Sequence, residues 1–423
     1  SVFAFLKDTM ASIAFPIPEP AAAGTLMLTF HEGVDQEAIM KRINGLKVTS
    51  TNYLGGVGIG TVEVSDLAVF QAFLKIFDGV ASVERDAEVS IAEPAAAVES
   101  APEANDGLAS ALDDCKTPLT VQDYLMDIAP PLDGRSYKGQ AGRIGVLGGS
   151  IDFAGAPYYA GMAALRVGAE LLYLCTAWEA TGPIKGYSPE LMVSEVYRWS
   201  QISSENSADS LAEQDRMVEK MTGLLPRFHA LAIGPGLGRD DRVLTAVARV
   251  IDECRARQLP LVIDADGLWL IERRPDLLKG YREAVITPNA AEFRRLAKAL
   301  LGDEKAQPAA VCEELAGPVL LQKGRVDRIF APGAEPLECA EEGAPRRPGG
   351  LGDFLAGSLA VFLGWSAAKR RDQLMACKAA CTLVRRACRS AFIKKKRAMV
   401  APDVLEEVAD IFEEMCPAVR AKF

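Results

Sequence analysis

A glycine-rich segment followed by an acid is the part of this sequence most suited to chemistry. Gly349, Gly350 and Gly352 precede Asp353, and the small and apolar residues that follow predict a helix. Glycines where a loop enters a helix let backbone N–H groups close on an anion, and the helix N-terminus adds partial positive charge. A carboxylate in the first turn can accept a hydroxyl proton. The segment therefore suggests phosphoryl transfer to a hydroxyl with Asp353 as base, although a plain Asp-capped turn is an alternative.

Several other segments place glycines or polar residues directly after a predicted buried strand. They are residues 143–150, 230–241, 261–267, 285–292 and 319–324. Strands alternate with helices from residue 117 onward, which predicts a mostly parallel sheet with helices on both faces. Ligands bind such sheets at the loops that follow the carboxyl ends of the strands. Together these segments predict a nucleotide site along one edge of the sheet.

Three polar residues in these loops have two interpretations each. Asn289 and Glu292 could orient water molecules on Mg²⁺, which prefers oxygen ligands and retains its waters. Their spacing is equally typical of a helix N-cap followed by an acid in the first turn. Lys323 could bind nucleotide phosphates, or it could be an ordinary surface lysine. The residues themselves leave these alternatives open.

Composition limits the possible functions. The 423 residues are 49% hydrophobic, which is enough for two domains, and the net charge of -10 argues against general affinity for nucleic acid. Because the sequence has only two histidines, we do not expect a His-based metal site or Ser-His-Asp catalysis. We also expect no membrane span. Nine cysteines without metal-like spacing suggest reduced thiols and a cytoplasmic location. Because the sequence does not begin with Met, a removed targeting peptide could direct the protein to a mitochondrion or plastid.

The first 91 residues predict a small separate domain. Predicted strands at 25–30, 48–54, 58–64 and 80–84, with helices at 35–44 and 65–77, give the ferredoxin-like βαββαβ order. Residues 78–86 resemble the closing segment of subtilisin propeptide-type inhibitor domains, but a docking or homo-oligomerisation module is the favoured interpretation. Residues 92–116 are rich in Ala, Pro, Glu and Asp and predict a flexible linker, so a second domain would span 117–423.

The second domain resembles the ATP-dependent NAD(P)H-hydrate dehydratase family, which has the ribokinase-like fold, a three-layer αβα arrangement. The match begins near residue 119 and rests on residues 138–145, 233–241, 287–293, 322–324 and 346–357. This resemblance implies a lyase that uses ATP and Mg²⁺ to dehydrate the S form of NADH hydrate or NADPH hydrate. The products would be the restored nucleotide, ADP and phosphate.

The resemblance also implies the site residues. Asp353 would be the catalytic base and would contact the substrate. The other substrate-binding residues would be Gly155, Ala156, Gly236, Gly238, Asp266, Asn289, Ala290, Ala291, Glu292, Phe293, Arg294 and Arg295. The ATP-binding residues would be Lys323, Gly324, Arg325, Val326, Asp327, Gly343, Ala344, Pro345, Arg346, Arg347, Pro348, Gly349, Gly350, Leu351 and Gly352. Asn289 and Glu292 would hold the metal through water.

Two residues depart from the family's pattern. Pro348 and Leu351 stand where cysteine and glutamine are expected. Loss of the glutamine could weaken ATP binding, but the backbone donors and Asp353 remain, so we expect activity to survive. One alternative is a ribokinase-like kinase of a vitamin precursor, which should lack the strings at 138–145 and 234–241. Another is a weakened domain kept as a structural or interaction subunit.

Overall fold

The computed structural model describes residues 24–30, 48–54, 59–64, 80–85, 120–132 and 135–418. The chain divides into two compact units, Ser1–Leu108 and Ala109–Phe423. The predicted linker at residues 92–116 lies outside the described residues, so the predicted domain boundaries stay predictions.

The described part of the first unit is a four-stranded sheet. Its strands are β1 (Gly24–Phe30), β2 (Val48–Leu54), β3 (Ile59–Val64) and β4 (Val80–Arg85). The strand order is β2-β3-β1-β4, and all neighbouring pairs are antiparallel. This order is the one that a ferredoxin-like βαββαβ chain produces. The two helices predicted between these strands lie outside the described residues.

A nine-stranded sheet forms the centre of the second unit. Its strands are β5 (Arg143–Leu147), β6 (Leu171–Ala177), β7 (Met192–Tyr197), β8 (Ala230–Ile233), β9 (Leu261–Ile263), β10 (Ala284–Ile286), β11 (Val319–Gln322), β12 (Asp327–Phe330) and β13 (Leu337–Cys339). Their order is β13-β12-β11-β10-β9-β8-β5-β6-β7, parallel from β11 to β7 and antiparallel at β12 and β13. The central strands are continuous apolar runs because both faces of the sheet are covered.

Helices cover both faces of this sheet, as the alternating pattern predicts. They are α1 (Val121–Ile128), α2 (Gly155–Val167), α3 (Trp178–Tyr187), α4 (Trp199–Ile202), α5 (Ser207–Leu224), α6 (Asp241–Ala256), α7 (Asp266–Arg273), α8 (Ala290–Leu301), α9 (Pro308–Leu315), α10 (Leu351–Lys369), α11 (Gln373–Lys395) and α12 (Ala401–Met415). One hydrophobic core lies under α1, α2, α10, α11 and α12, and the other lies under α5 to α9. The result is the expected three-layer αβα arrangement.

Helix α10 is the most deeply buried of these elements. An 18-residue window of this 19-residue helix has a mean hydropathy of 1.4, and by length and composition alone the helix could cross a membrane. Length and composition alone thus single out one segment among the described residues of a sequence where we expected no membrane span. Of the residues in that window, 72% are buried inside the protein, so core packing accounts for the apolar composition of the helix. It is weak evidence for a membrane span.

The strand order reverses between β5 and β8. From β5 the chain adds β6 and β7 on one side of the sheet, and from β8 it adds β9, β10 and β11 on the other. Loops that follow neighbouring strands on either side of such a reversal diverge and open a crevice. The topology therefore places a crevice between the loops after Leu147 and Ile233.

Close packing of α10 against α2 gives a direct test of this fold. A methyl group added at Gly357 would overlap the carbonyl oxygen of Ala160 in α2. We therefore expect Gly357→Ala to destabilise the protein by about 1–3 kcal/mol, measured by urea unfolding. Gly223→Ala is the matched control, because an added methyl there meets nothing within 4 Å. Equal stability of the two variants would contradict the packing described.

Candidate active site

The loops after β9, β10 and β11 meet at a buried ion pair. Asp264, directly after β9, is 2% exposed. Its Oδ1 accepts hydrogen bonds from Lys323 Nζ at 2.6 Å and from Thr287 Oγ1 at 2.7 Å. Burial lowers the pKa of Lys323, but the carboxylates of Asp264 and Glu292, with Asp353, reverse that effect and raise it. Lys323 is therefore a partly buried cation whose first partner is an internal acid, rather than an ordinary surface lysine.

The N-terminus of α10 lies over this ion pair. A Cβ built on Gly352 would be 3.5 Å from Asp264 Oδ2 and 3.7 Å from Lys323 Nζ. Helix α10 begins after Gly350, which has a left-handed φ of +100°, and no side chain among the described residues caps it. Its first-turn N–H groups consequently remain available to an anion.

Asp353 occupies the first turn of α10, at the point where these loops converge. Burial raises the pKa of Asp353 to about 8, the charges of Asp264 and Asp266 add to the rise, and Lys323 opposes it. A carboxyl group with a pKa near the working pH is suited to act as a general base. Uncapped backbone N–H groups and the carboxyl group of Asp353 therefore lie together in the first turn of α10, the combination that the glycine-rich segment suggested.

The loops on either side of the strand reversal contact each other at the base of the crevice. A Cβ built on Gly236 would be 3.2 Å from the Cβ of Ala156 at the start of α2. The backbone N–H of Gly238 donates to Asp266 Oδ2 at 3.0 Å. The structure therefore brings Gly155, Ala156, Gly236, Gly238 and Asp266 together, and their binding of substrate stays a prediction.

Asn289 and Glu292 form a reciprocal cap at the start of α8. Asn289 Oδ1 accepts from the backbone N–H groups of Ala291 at 2.9 Å and Glu292 at 3.1 Å, and Glu292 Oε2 accepts from the N–H of Asn289 at 2.8 Å. Burial raises the pKa of Glu292. The capping alternative is therefore observed, and it leaves the second carboxylate oxygen of Glu292 for other partners.

The two segments predicted to bind ATP meet at Arg385 in α11. Asp327 Oδ1 accepts from the N–H of Gly324 at 2.9 Å, and its Oδ2 accepts from Arg385 Nε at 2.6 Å. Arg385 Nη2 also donates to the carbonyl of Gly324 at 2.9 Å, and a Cβ on Gly343 would lie 3.7 Å from Arg385 Cγ. Asp327 thus holds the turn after β11 rather than pointing freely into a ligand site.

The other predicted residues occupy varied environments. Phe293 is 5% exposed and packs in the hydrophobic core, so its side chain does not line the crevice. Arg346 Nε donates to the carbonyl of Met399 at 2.6 Å, which anchors the glycine-rich loop to the segment before α12. The exposed ones are Ala290, Ala291, Arg294, Arg295, Arg325, Pro345, Arg347 and Gly349. The half-buried ones are Val326, Ala344, Pro348 and Leu351.

Asp264 and Thr287 lie in segments that were predicted to form the nucleotide site, but neither of them nor Arg385 was named as a candidate site residue. Asp264 could have been selected from the sequence, because a buried apolar strand that ends in an acid is unusual. No local sequence pattern points to Arg385, because it is 58 residues from its partner Asp327 along the chain. Ser150 is 5% exposed, and its hydroxyl has no hydrogen-bond partner in the part of the chain that the structure describes. It lies beside Gly238.

Comparison with known proteins identifies the family of this chain. The family model of NAD(P)H-hydrate dehydratase matches residues 144–410. An ATP-dependent (S)-NAD(P)H-hydrate dehydratase of Bos taurus is 40% identical over 312 residues, which cover 71% of this chain and 90% of that protein. The chain belongs to the NAD(P)H-hydrate dehydratase family. This confirms the family resemblance predicted from the sequence.

Solved structures with a ribokinase-like fold also resemble this chain. A ribokinase-like superfamily protein from Enterococcus faecalis matches with a TM-score of 0.56 and 22% identity, over 70% of this chain and 95% of that one. An ADP/ATP-dependent NAD(P)H-hydrate dehydratase from Bacillus subtilis, co-crystallised with ATP and Mg²⁺, matches with a TM-score of 0.52 and 20% identity, over 70% and 97%. The ribokinase-like fold predicted from the sequence is therefore confirmed.

The buried ion pair can be tested by removing one charge at a time. Lys323→Ala leaves Asp264 buried without its cation, so we expect a loss of about 3–5 kcal/mol in the free energy of unfolding. Asp264→Asn added to Lys323→Ala should recover part of that loss, because no unpaired charge remains. Lys279→Ala is the control and should cost under about 1 kcal/mol, since its ion pair with Glu314 is exposed. A double variant no more stable than Lys323→Ala would contradict this account.

Proposed function

We propose that the protein repairs hydrated nicotinamide nucleotides, using ATP to dehydrate the S form of NADH hydrate or NADPH hydrate. The observation that carries the proposal is the position of Asp353. Its carboxyl group, with a pKa raised by burial, lies at an uncapped helix N-terminus in the crevice of a ribokinase-like fold. Membership of the NAD(P)H-hydrate dehydratase family supports the same substrate.

The reaction consists of a phosphoryl transfer followed by an elimination. Asp353 takes the proton of the hydroxyl on ring carbon six while that oxygen bonds to the γ-phosphorus of ATP and ADP leaves. The lone pair of the ring nitrogen then expels the phosphate. Loss of a proton from the neighbouring ring carbon restores the reduced nicotinamide. No enzymatic acid is needed to protonate the leaving group.

The residues around Asp353 have suitable chemistry for the nucleotides. The first-turn N–H groups of α10 would bind the transferred phosphoryl group. Lys323 and the segments at 324–327 and 343–352 would bind ATP. The hydrated dinucleotide would be bound by Gly155, Ala156, Gly236, Gly238, Asp266 and the residues of 289–295 other than Phe293, whose side chain is in the core.

Magnesium fits this site as a companion of ATP. The described residues contain no group of three or more His, Cys, Asp or Glu that could hold a metal directly. Mg²⁺ on a nucleotide keeps several waters and needs only one or two carboxylates besides the phosphates. The second carboxylate oxygen of Glu292 would hold such a water, and the Mg²⁺ would offset negative charge on the phosphates.

Leu351 bears on the alternative of a weakened enzyme. Its half-buried side chain packs against the hydrophobic core beneath α10. Leu351 therefore helps to anchor the helix. The backbone N–H donors of the first turn do not depend on its side chain. This favours an active dehydratase over a domain that is kept only for interaction.

We expect Asp353→Asn to lower kcat by about 10² to 10⁴, with ATP affinity nearly unchanged, because the charge is needed only to remove the proton. Recovery of reduced-nicotinamide absorbance from hydrated NADH and ATP measures the rate. In the wild type, kcat/KM should rise with pH through about 8, since only ionised Asp353 accepts the proton. Asp215→Asn, at an exposed ion pair, is the control. A variant that keeps more than a tenth of the wild-type kcat would exclude Asp353 as the base.

The N-terminal unit is expected to be dispensable for catalysis. All residues placed at the proposed site belong to the unit Ala109–Phe423. A protein that begins at Thr117 should therefore keep its kcat and both KM values. A folded truncated protein with a tenfold lower kcat would mean that the N-terminal unit contributes to the site.

Location and assembly form a separate part of the proposal. We infer a cytoplasmic location, or a mitochondrion or plastid if a targeting peptide is removed. We also infer that the N-terminal unit binds a partner or a second copy of the chain, for which an exposed sheet edge is suited. Fractionation of cells and the mass of the full-length protein in solution test these points.

A further inference from the structure

Three arginines surround one tryptophan beside the crevice. The guanidinium carbons of Arg239, Arg273 and Arg295 lie 4.7, 4.9 and 5.6 Å from the ring centroid of Trp269. We call these four residues the arginine cluster. Cations over an indole face are attracted to its electron density, so the ring holds three like charges close together.

Each of these arginines has a carboxylate partner but retains free donors. Arg239 Nε binds Asp266 at 2.9 Å, Arg295 Nε binds Glu272 at 3.0 Å, and Arg273 Nη1 binds Asp241. Within the described part of the chain, each guanidinium thus engages one of its three nitrogens in a salt bridge. The side chains are 41–54% exposed, so the remaining N–H groups can reach a ligand.

The cluster is continuous with the substrate side of the crevice. Arg239 follows Gly238, and Asp266 accepts hydrogen bonds from both residues. Trp269 and Arg273 lie on α7, which begins at Asp266, and Arg295 lies on α8, which begins beside Asn289. Arg239 therefore lies in the loop after β8, and the helices after β9 and β10 carry the other three residues. The cluster adjoins the proposed site through Arg239 and Asp266.

The proposed substrate is negatively charged, and the lysine at the centre of the site already has a carboxylate partner. A hydrated dinucleotide carries a pyrophosphate, and NADPH hydrate carries a further 2′-phosphate. Lys323, the cation beside Asp353, is already paired with Asp264. In a protein of net charge -10, a phosphate needs a local group of cations. Guanidinium groups with free paired N–H donors match phosphate oxygens well.

We propose that the arginine cluster binds phosphate groups of the hydrated dinucleotide, an inference that rests on the proposed function. Phosphate oxygens accept hydrogen bonds from the free guanidinium nitrogens, while Trp269 keeps the three side chains in place. Asp241, whose side chain is 80% exposed, gives up Arg273 to the phosphate at little cost, because such exposed ion pairs contribute little.

The test compares Arg273→Gln with Arg274→Gln. Both changes remove one exposed arginine from adjacent positions, but Arg274 pairs with Asp276 and is not among the arginines over Trp269. We expect Arg273→Gln to raise KM about tenfold at saturating ATP, the effect of losing a hydrogen bond between charged groups, with kcat within twofold. Arg274→Gln should leave KM unchanged. Arg273→Lys, which keeps the charge, should fall between Arg273→Gln and the wild type.

Measuring both substrates identifies the phosphate. An equal rise in KM for NADH hydrate and NADPH hydrate assigns the pyrophosphate, and a larger rise for NADPH hydrate assigns the 2′-phosphate. Unchanged KM values for both, or a rise no larger than that of Arg274→Gln, would overturn the inference. So would a lowered Tm and kcat without a change in KM, the signature of a structural role. A wild type that fails to restore reduced nicotinamide would instead refute the proposed function.

Discussion

The ion pair between Asp264 and Lys323 is the interaction on which the rest of the site depends. It joins the ends of β9 and β11, and the Thr287 hydroxyl adds the end of β10. The N-terminus of α10 then rests directly over the pair. A buried charge without its partner is costly, so both side chains are held in one arrangement. Three loops and one helix that carry the predicted chemistry are thereby fixed relative to one another.

The same concentration of acids imposes a cost on stability. Burial and the charges of Asp264 and Asp266 raise the pKa of Asp353 from 3.8 to about 8. Between those values the native state binds a proton that the unfolded chain releases. The stability contributed by that proton is complete below about 3.8 and is lost as the pH rises through about 8. The ionised form that a base requires is therefore the form that the fold favours least, as is common at active sites.

The sequence was sufficient for features that depend on neighbours along the chain. Buried strands ending in polar loops predicted the parallel sheet and its ligand edge, and the Asn289–Glu292 spacing predicted the observed cap as one of two alternatives. Features that join distant segments could not be predicted in this way. The contact between Arg385 and Asp327 and the convergence of the arginine cluster depend on strand order. Periodicity and local motifs carry no information about that order.

Helix α10 links the two kinds of feature, because its first turn belongs to the site and its body belongs to the core. Gly357 lets the helix approach the backbone of α2, and Leu351 and Phe354 pack its beginning against the same core. The anion-binding N–H groups are therefore positioned by apolar packing rather than by polar side chains. This explains physically why an apolar residue is tolerated at position 351. What the first turn must preserve is the backbone path through Gly350, since its φ of +100° is costly for any residue with a Cβ.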